Sequence, residues 1–331
     1  MEGPPARDVT GRTLPAVSVV MPVRNEVASV EEALLSALGQ NYPGPLEVVV
    51  ADGMSEDGTR ELLDRLAGGN PRVRLVENPR GSTPAGLNAA IRASSGEVIV
   101  RCDGHAVLPP DYVRRAVEIL GETGADNVGG IQAAQGKGVL QRAIALGMST
   151  PFGVGDARFH YGGPAGPADT VYLGAFRRSA LERVGLFDES LGRSQDSDLN
   201  YRIRASGGSV YFHPDLRVVY RPRPGLGSLW QQYWRSGAWK RELLGRRPGS
   251  LRWRQLVSPA LVLALFGSAI LALTPWRKVA LLAPALYAAE VMFATIWTAL
   301  RRGDPAALLL PVVLPTMHLA WGLGFLLGRP S

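Results

Sequence analysis

The chain has 331 residues, with 36 Lys and Arg against 29 Asp and Glu, a formal charge of +7. Hydrophobic residues make up 46% and charged residues 20%, which excludes a wholly disordered chain. The lone cysteine, Cys102, excludes an internal disulfide framework and any multi-cysteine zinc site, and it fits a reducing compartment.

Met1 to Leu14 has no apolar core, so no signal peptide is expected, and residues 1–15 read as a flexible N-terminus. Val17 to Val23 is short and β-branched, as strands are, and Glu31 to Leu38 has helical periodicity. Leu46 to Ala51 reads as a second strand, Thr59 to Leu66 as a second helix and Val73 to Val76 as a third strand. Thr83-Pro84 looks like an N-cap followed by proline at the first helical position, opening a helix over Ala85 to Ala93. Glu97 to Arg101 is a fourth strand, and Pro110 opens a helix through Leu120. Such alternation predicts an α/β domain, a mostly parallel sheet flanked by helices, with ligands bound beyond the carboxyl ends of its strands.

Three polar clusters fall at those ends. They are Pro22-Val23-Arg24-Asn25-Glu26, the segment Asp52 to Thr59, and Asp103-Gly104-His105. No Gly-x-Gly-x-x-Gly follows the first strand and no P-loop is present, which argues against a dinucleotide or P-loop site. Asp52 can accept a hydrogen bond from a base N–H or a ribose hydroxyl, or serve simply as a turn residue. Asp103 and His105 set a carboxylate and an imidazole two residues apart, able to hold Mg²⁺ or Mn²⁺ and through it a diphosphate; a turn Asp beside an incidental His is the plainer alternative. A helix is expected from Asp198, with Asp196 at or before its N-terminus, either as a cap or as a base that takes a proton from a hydroxyl.

The charge is concentrated further on. Arg221 to Arg254 holds nine basic residues and one acid, so this stretch carries +8 and the remainder of the chain −1. Three apolar runs follow, 257–274, 279–300 and 306–327. Each is near the roughly 20 residues needed to cross the hydrocarbon core, so 255–331 is expected to be a transmembrane region of about three helices rather than the buried helices of a soluble domain. The basic stretch before the first run predicts a multi-pass protein of the cytoplasmic (inner) cell membrane, with everything before residue 255 in the cytoplasm. Residues 226–254, with Trp230, Tyr233, Trp234 and Trp239 beside cations, read as an amphipathic segment at the membrane interface. Its expected partners are anionic lipids or a lipid diphosphate, with no nucleic acid. Glu290 and His318 are read as interhelical contacts.

Taken together, Val19 to Glu26, Val50 to Thr59, Gly86 to Ile91, Arg101 to His105, Gly174 to Arg178, Val184 to Glu189 and Gln195 to Leu199 resemble glycosyltransferase family 2, the inverting enzymes with a GT-A fold. The branch most similar contains the bacterial succinoglycan-type exopolysaccharide transferases. The resemblance covers about residues 16 to 240, and it is the order and spacing of the segments that make it specific. It implies a GT-A domain over 16–225 that takes a nucleotide-sugar donor, a UDP-sugar in most such enzymes. It further implies that Pro22, Asn25, Glu26, Asp52 and Asp103 bind this donor, with Asp103 and His105 holding a divalent metal (Mn²⁺ or Mg²⁺). His105 stands where the family has a second Asp. Asp196 matches the catalytic base, with Gln195 in place of the Glu that precedes it, and Gly174, Ala175, Phe176 and Gln195 are placed on the acceptor side. The implied acceptor is a polyprenyl-linked or other membrane-held saccharide. Gln232, Trp234 and Arg235 only partly match the Gln-x-x-Arg-Trp motif of processive synthases, because Ser236 stands where Trp is expected, and they are assigned to the membrane interface. A processive polysaccharide synthase and a non-catalytic membrane scaffold are the competing readings.

Overall fold

The structure is a computed structural model that describes residues 13–330. Of the expected flexible N-terminus, residues 1–12 lie outside the described residues. In chain order the elements are β1 (Val17–Val23), α1 (Val30–Leu38), β2 (Leu46–Asp52), α2 (Thr59–Ala67), β3 (Val73–Glu77), α3 (Thr83–Ala93), β4 (Val98–Arg101), α4 (Tyr112–Thr123) and β5 (Asn127–Ala134). Then come α5 (Gly138–Met148), α6 (Pro151–Val154), α7 (Arg158–Tyr161), β6 (Gly166–Pro167), β7 (Tyr172–Arg177), α8 (Arg178–Val184), α9 (Gln195–Ala205) and β8 (Val210–Tyr220). The chain ends in α10 (Leu226–Arg246), α11 (Arg254–Leu271), α12 (Arg277–Ala280), α13 (Leu282–Arg302) and α14 (Leu310–Leu327).

The strands form one sheet in the order β3-β2-β1-β4-β7-β5-β8-β6. Its first half is parallel. β1 lies between β2, with Val23 beside Asp52, and β4, with Val20 beside Arg101. β7 then runs antiparallel to both β4 and β5, and β6 antiparallel to β8. The sheet is therefore mixed rather than mostly parallel, because β7 and β6 run antiparallel to their neighbours instead of continuing the parallel pairing of the first four strands. All seven residues of β1 are buried, as expected for a parallel strand covered on both faces. Val19, Met21, Val48, Val50 and Val100 form the core with Ala33 and Leu34 of α1 and Leu63 of α2. α3 starts one residue earlier than the motif suggested, with Ser82 as its N-cap.

The chain divides into two compact units. The first comprises the sheet and its helices, up to residue 132 and again over Gly162–Tyr220. The second joins Ala133–Tyr161 to everything from Arg221 onward. The segment Ala133–Tyr161, which the sequence reading places inside a continuous 16–225 domain, thus clusters with the C-terminal helices.

Within the second unit, three stretches are long and apolar enough to cross a membrane: Arg254–Leu271, Arg277–Arg302 and Pro305–Leu327. α10 runs along α14 at a close backbone approach. Gly237 sits against the backbone of Trp321 and Phe325, and Gly324 against that of Trp234, so a Cβ at either glycine would strike main-chain atoms. Arg241 caps α14 by donating to the carbonyls of Leu326 (2.7 Å) and Gly328. α5 packs through Gly147 against Val313 and Met317, and Arg142 pairs with Asp304. His318 makes the interhelical contact expected of it, with Nδ1 2.9 Å from the Tyr287 hydroxyl and Nε2 2.8 Å from the Phe152 carbonyl. Glu290 lies on an exposed face of α13.

Candidate active site

The loops after β1 and β2 are stapled together by hydrogen bonds that start at Asn25. Asn25 takes a left-handed conformation, φ 54°, which Asn tolerates better than most residues. Its N–H donates to Ser55 Oγ (2.9 Å), and its Oδ1 accepts from the N–H of Glu56 (2.9 Å). The N–H of Glu26 donates to Thr59 Oγ1 (2.9 Å). Pro22 is buried inside β1.

Asp52 closes β2 and is 3% exposed. Its Oδ2 accepts a long bond from the N–H of Ser55 (3.3 Å) and has Arg60 3.8 Å away. Its Oδ1 is buried without a hydrogen-bond partner. A buried carboxylate oxygen left unpaired is costly, and a donor N–H or O–H from a ligand would relieve that cost.

On the other flank of β1, β4 ends in Arg101, whose side chain is only 5% exposed. Its guanidinium makes a fork onto Asp103, with Nε to Oδ1 at 2.7 Å and Nη2 to Oδ2 at 3.1 Å. The remaining arm, Nη1, donates to Oδ1 of Asp196 at 2.5 Å. These bonds more than offset the burial that opposes the guanidinium's charge, so its pKa rises. Asp196 lies in the first turn of α9, entered through Ser194 at φ 62°. That helix is anchored one turn on: Asp198 pairs with Arg202, which also donates to the Val184 and Leu186 carbonyls, and Asn200 bonds Asn127. About a third of the Asp196 side chain still reaches solvent. Its surroundings nevertheless push its pKa up, through burial and then the neighbouring Asp103 charge, against the opposing pull of Arg101.

His105 Nδ1 is 2.9 Å from Glu26 Oε1, and Glu26 Oε2 accepts from Ser29. Among the described residues no three His, Cys, Asp or Glu side chains gather into a cage for a metal ion. That still suits a hard divalent ion of the Mg²⁺ type, which is commonly held by one or two carboxylates together with substrate phosphates. The Arg101 fork takes one lone pair on each Asp103 oxygen and leaves the others for such an ion, while His105 could reach one only through Nε2, since Nδ1 faces Glu26. Cys102 is buried, and burial raises its thiol pKa, so it does not serve as a nucleophile.

The structure thus gathers Asn25, Glu26, Asp52, Asp103, His105, Gln195 and Asp196 along the carboxyl edge of β1, β2, β4 and the start of α9. Gly174, Ala175 and Phe176 are instead buried in β7, with Phe176 edge-on to Phe187. Gly174 holds φ 62°, and the chain there accommodates a break in the register between β5 and β7. Gln232 bonds Arg223, Trp234 lies against Gly324 and Arg235 is exposed, all within the second unit. Arg101 has no assigned role in the sequence reading. Its signal was a lone cation at the end of an apolar strand, a position that must find acceptors.

Comparison with known proteins places this geometry. The chain is 31% identical over 309 residues to the succinoglycan biosynthesis protein ExoA of Rhizobium meliloti, covering 93% of each chain. It is 30% identical over 174 residues to an undecaprenyl-phosphate 4-deoxy-4-formamido-L-arabinose transferase of Pseudomonas aeruginosa, covering 51% of this chain and 49% of that one. Among solved structures it is similar to the mannosyltransferase PcManGT of Pyrobaculum calidifontis in complex with GDP-Man and Mn²⁺, with 26% identity, a TM-score of 0.64 and coverage of 93% of this chain and 90% of that one. The mixed sheet with its flanking helices is the GT-A fold. The model of the family described as "Glycosyl transferase family 2" matches residues 18–185, and with the full-length relative this establishes that the chain belongs to glycosyltransferase family 2.

Proposed function

We propose that this glycosyltransferase moves a sugar from a nucleoside-diphosphate donor to a hydroxyl of a lipid-linked saccharide, with inversion at the anomeric carbon, in exopolysaccharide or other cell-surface glycan synthesis. The observation that carries this reading is the set of three carboxylates at neighbouring strand and helix ends. Asp52 has an unpaired buried oxygen, Asp103 follows β4 with its side chain 18% exposed, and Asp196 is held beside it through Arg101. In this reading Asp52 Oδ1 accepts from the base, from N3–H of uracil or N1–H of guanine. Uracil is the expected base, while the GDP-Man of the neighbouring structure favours guanine. Asp103, with His105 through Nε2, would hold a divalent ion, which when bound supplies positive charge to the departing diphosphate. Asp196 takes the proton of the acceptor hydroxyl with the oxygen that Arg101 does not occupy, and its raised pKa brings it nearer the range useful to a general base.

A lipid-linked acceptor is supported by the apolar helices, by the +8 stretch before them, and by the relative whose name specifies undecaprenyl phosphate. We read the protein as a multi-pass cell-membrane protein with its sheet domain in the cytoplasm, because the basic stretch precedes the first apolar helix. The test is transfer from a panel of labelled UDP- and GDP-sugars in membranes containing wild type, Asp103→Asn or Asp196→Asn, with the product anomer read by NMR. Loss of transfer in both variants and an inverted product are expected. Wild-type rates in both variants, or a retained anomer, would overturn the reading.

A further inference from the structure

All three nitrogens of the Arg101 guanidinium donate to carboxylates, and the two acids come from different parts of the chain. Asp103 follows it by two residues, and Asp196 comes from α9, 95 residues later. The group is 5% exposed, so its charge has been taken out of water at a cost that an aliphatic side chain ending β4 would not incur. The geometry returns a specific benefit. The planar fork binds Asp103 edge-on and fixes the plane of that carboxylate, and the third donor fixes one oxygen of Asp196. On both acids the bonds leave lone pairs for chemistry: the outer ones of Asp103, and Oδ2 of Asp196.

An inverting transfer requires the base and the leaving-group side to be held at a set separation on opposite sides of the reacting carbon. We propose that Arg101 is the positioning residue that sets this separation, holding the base carboxylate of Asp196 in fixed relation to the diphosphate-side carboxylate of Asp103. This rests on the roles given to those two acids above. Arg101 touches neither donor nor acceptor in this scheme and acts only through the two carboxylates. A lysine would keep the positive charge but not the fork, since an ammonium is a point charge that cannot bind one carboxylate edge-on while reaching a second at a fixed angle.

The test uses the full chain in membranes or detergent, with Arg101→Lys, Arg101→Met and each combined with Asp196→Asn. Expected is a fall in kcat of about 100-fold in both single variants, since misplacement of a reacting group by about 1 Å costs this much. The donor KM and the Kd for the nucleoside diphosphate with Mn²⁺, measured by calorimetry, are expected to stay within about 3-fold, as for an interaction made only in the transition state. If Arg101 acts on the base, Arg101→Lys loses most of its effect once Asp196→Asn is present, any remainder being what it does through Asp103. A role in folding alone would instead lower the amount of binding-competent protein and leave kcat per bound nucleotide unchanged. The Lys variant decides the matter alone if the Met variant does not accumulate. An Arg101→Lys rate equal to wild type, or an Arg101→Lys penalty as large in the Asp196→Asn background as in the wild-type chain, overturns the proposal. A wild-type chain that transfers no sugar and binds no nucleoside diphosphate would instead sink the functional reading, leaving that failure distinct from this one.

Discussion

His105 Nδ1 lies 2.9 Å from Glu26 Oε1, which ties the loop after β4 to the loop after β1. A carboxylate on one ring nitrogen of a metal-binding histidine fixes the orientation and tautomer of the imidazole. Glu26→Ala should therefore raise the Mn²⁺ concentration for half-maximal transfer by about 10-fold, in the range typical of removing such an outer partner. A metal titration of initial rates checks this. An unchanged titration would mean that His105 has no part in holding the ion.

Asp52 leads to a prediction that separates binding from stability. Its Oδ1 is buried and unpaired, and its one backbone bond is long. Asp52→Ala should weaken binding of the donor nucleotide by about 10- to 100-fold, the worth of a hydrogen bond to a charged group, while costing the ligand-free protein little stability. Calorimetry with UDP and with GDP, paired with thermal unfolding of the ligand-free protein, reads both quantities and also names the preferred base.

The pH dependence of transfer follows from Asp196. Burial raises its pKa, so the base becomes protonated, and activity is lost, at a higher pH than an ordinary aspartate would allow. The acid limb of kcat/KM should accordingly lie above the usual value of 3.8, and Asp196→Asn should lower kcat/KM by at least about 100-fold, the lower range for general-base catalysis. A limb at the ordinary aspartate value would remove the support that this carboxylate's environment lends to its role as base.

A second pH effect concerns stability. Burial, with the Arg254 charge beside it, pushes His160 down from 6.5 to about 4. Between those values the unfolded chain binds a proton that the folded chain refuses. Stability from this group is therefore complete above pH 6.5 and declines as pH falls toward 4, by up to about 3 kcal/mol at one pKa unit per 1.36 kcal/mol. His160→Gln should flatten the fall in Tm over that interval, measured in detergent at fixed ionic strength.

The α10–α14 contact offers a test remote from the chemistry. A Cβ at Gly324 would meet the Trp234 carbonyl, and one at Gly237 the Trp321 carbonyl, with no flexible side chain to give way. Gly324→Leu should lower stability by about 1–3 kcal/mol or more, as overpacking does, without altering nucleotide binding by the sheet domain. Differential scanning of the detergent-extracted protein, alongside calorimetry, distinguishes the two effects.

The sequence pattern and the structure agree where signals are local. Val17 to Val23 and Leu46 to Ala51 are continuous apolar runs bounded by polar clusters, so both strands and the residues at their ends, Asp52 among them, could be read directly. Asp103 followed from its place after β4 in the same way. What escaped depends on contacts between distant positions. The antiparallel course of β7 is set by pairing with β4 and β5, and nothing within Tyr172–Arg177 specifies its direction. Burial of Ala175 and Phe176 follows from that central place in the sheet. Arg101 shows its purpose only once α9 brings Asp196 to it, and the glycines of α10 and α14 meet across 87 residues of chain.

The excursion of the chain over Ala133–Tyr161 constrains how the protein can be dissected. Cutting after Tyr220 would keep every candidate catalytic residue and discard the apolar helices, the usual route to a soluble fragment. It would also strand α5, whose Gly147 packs against Val313 and Met317 and whose Arg142 pairs with Asp304, with no helix to cover it. Such a fragment would carry a sticky apolar loop in the middle of its catalytic half and would aggregate. A fragment suited to crystallography or ligand screening would instead delete 133–161 as well and rejoin the sheet with a short linker.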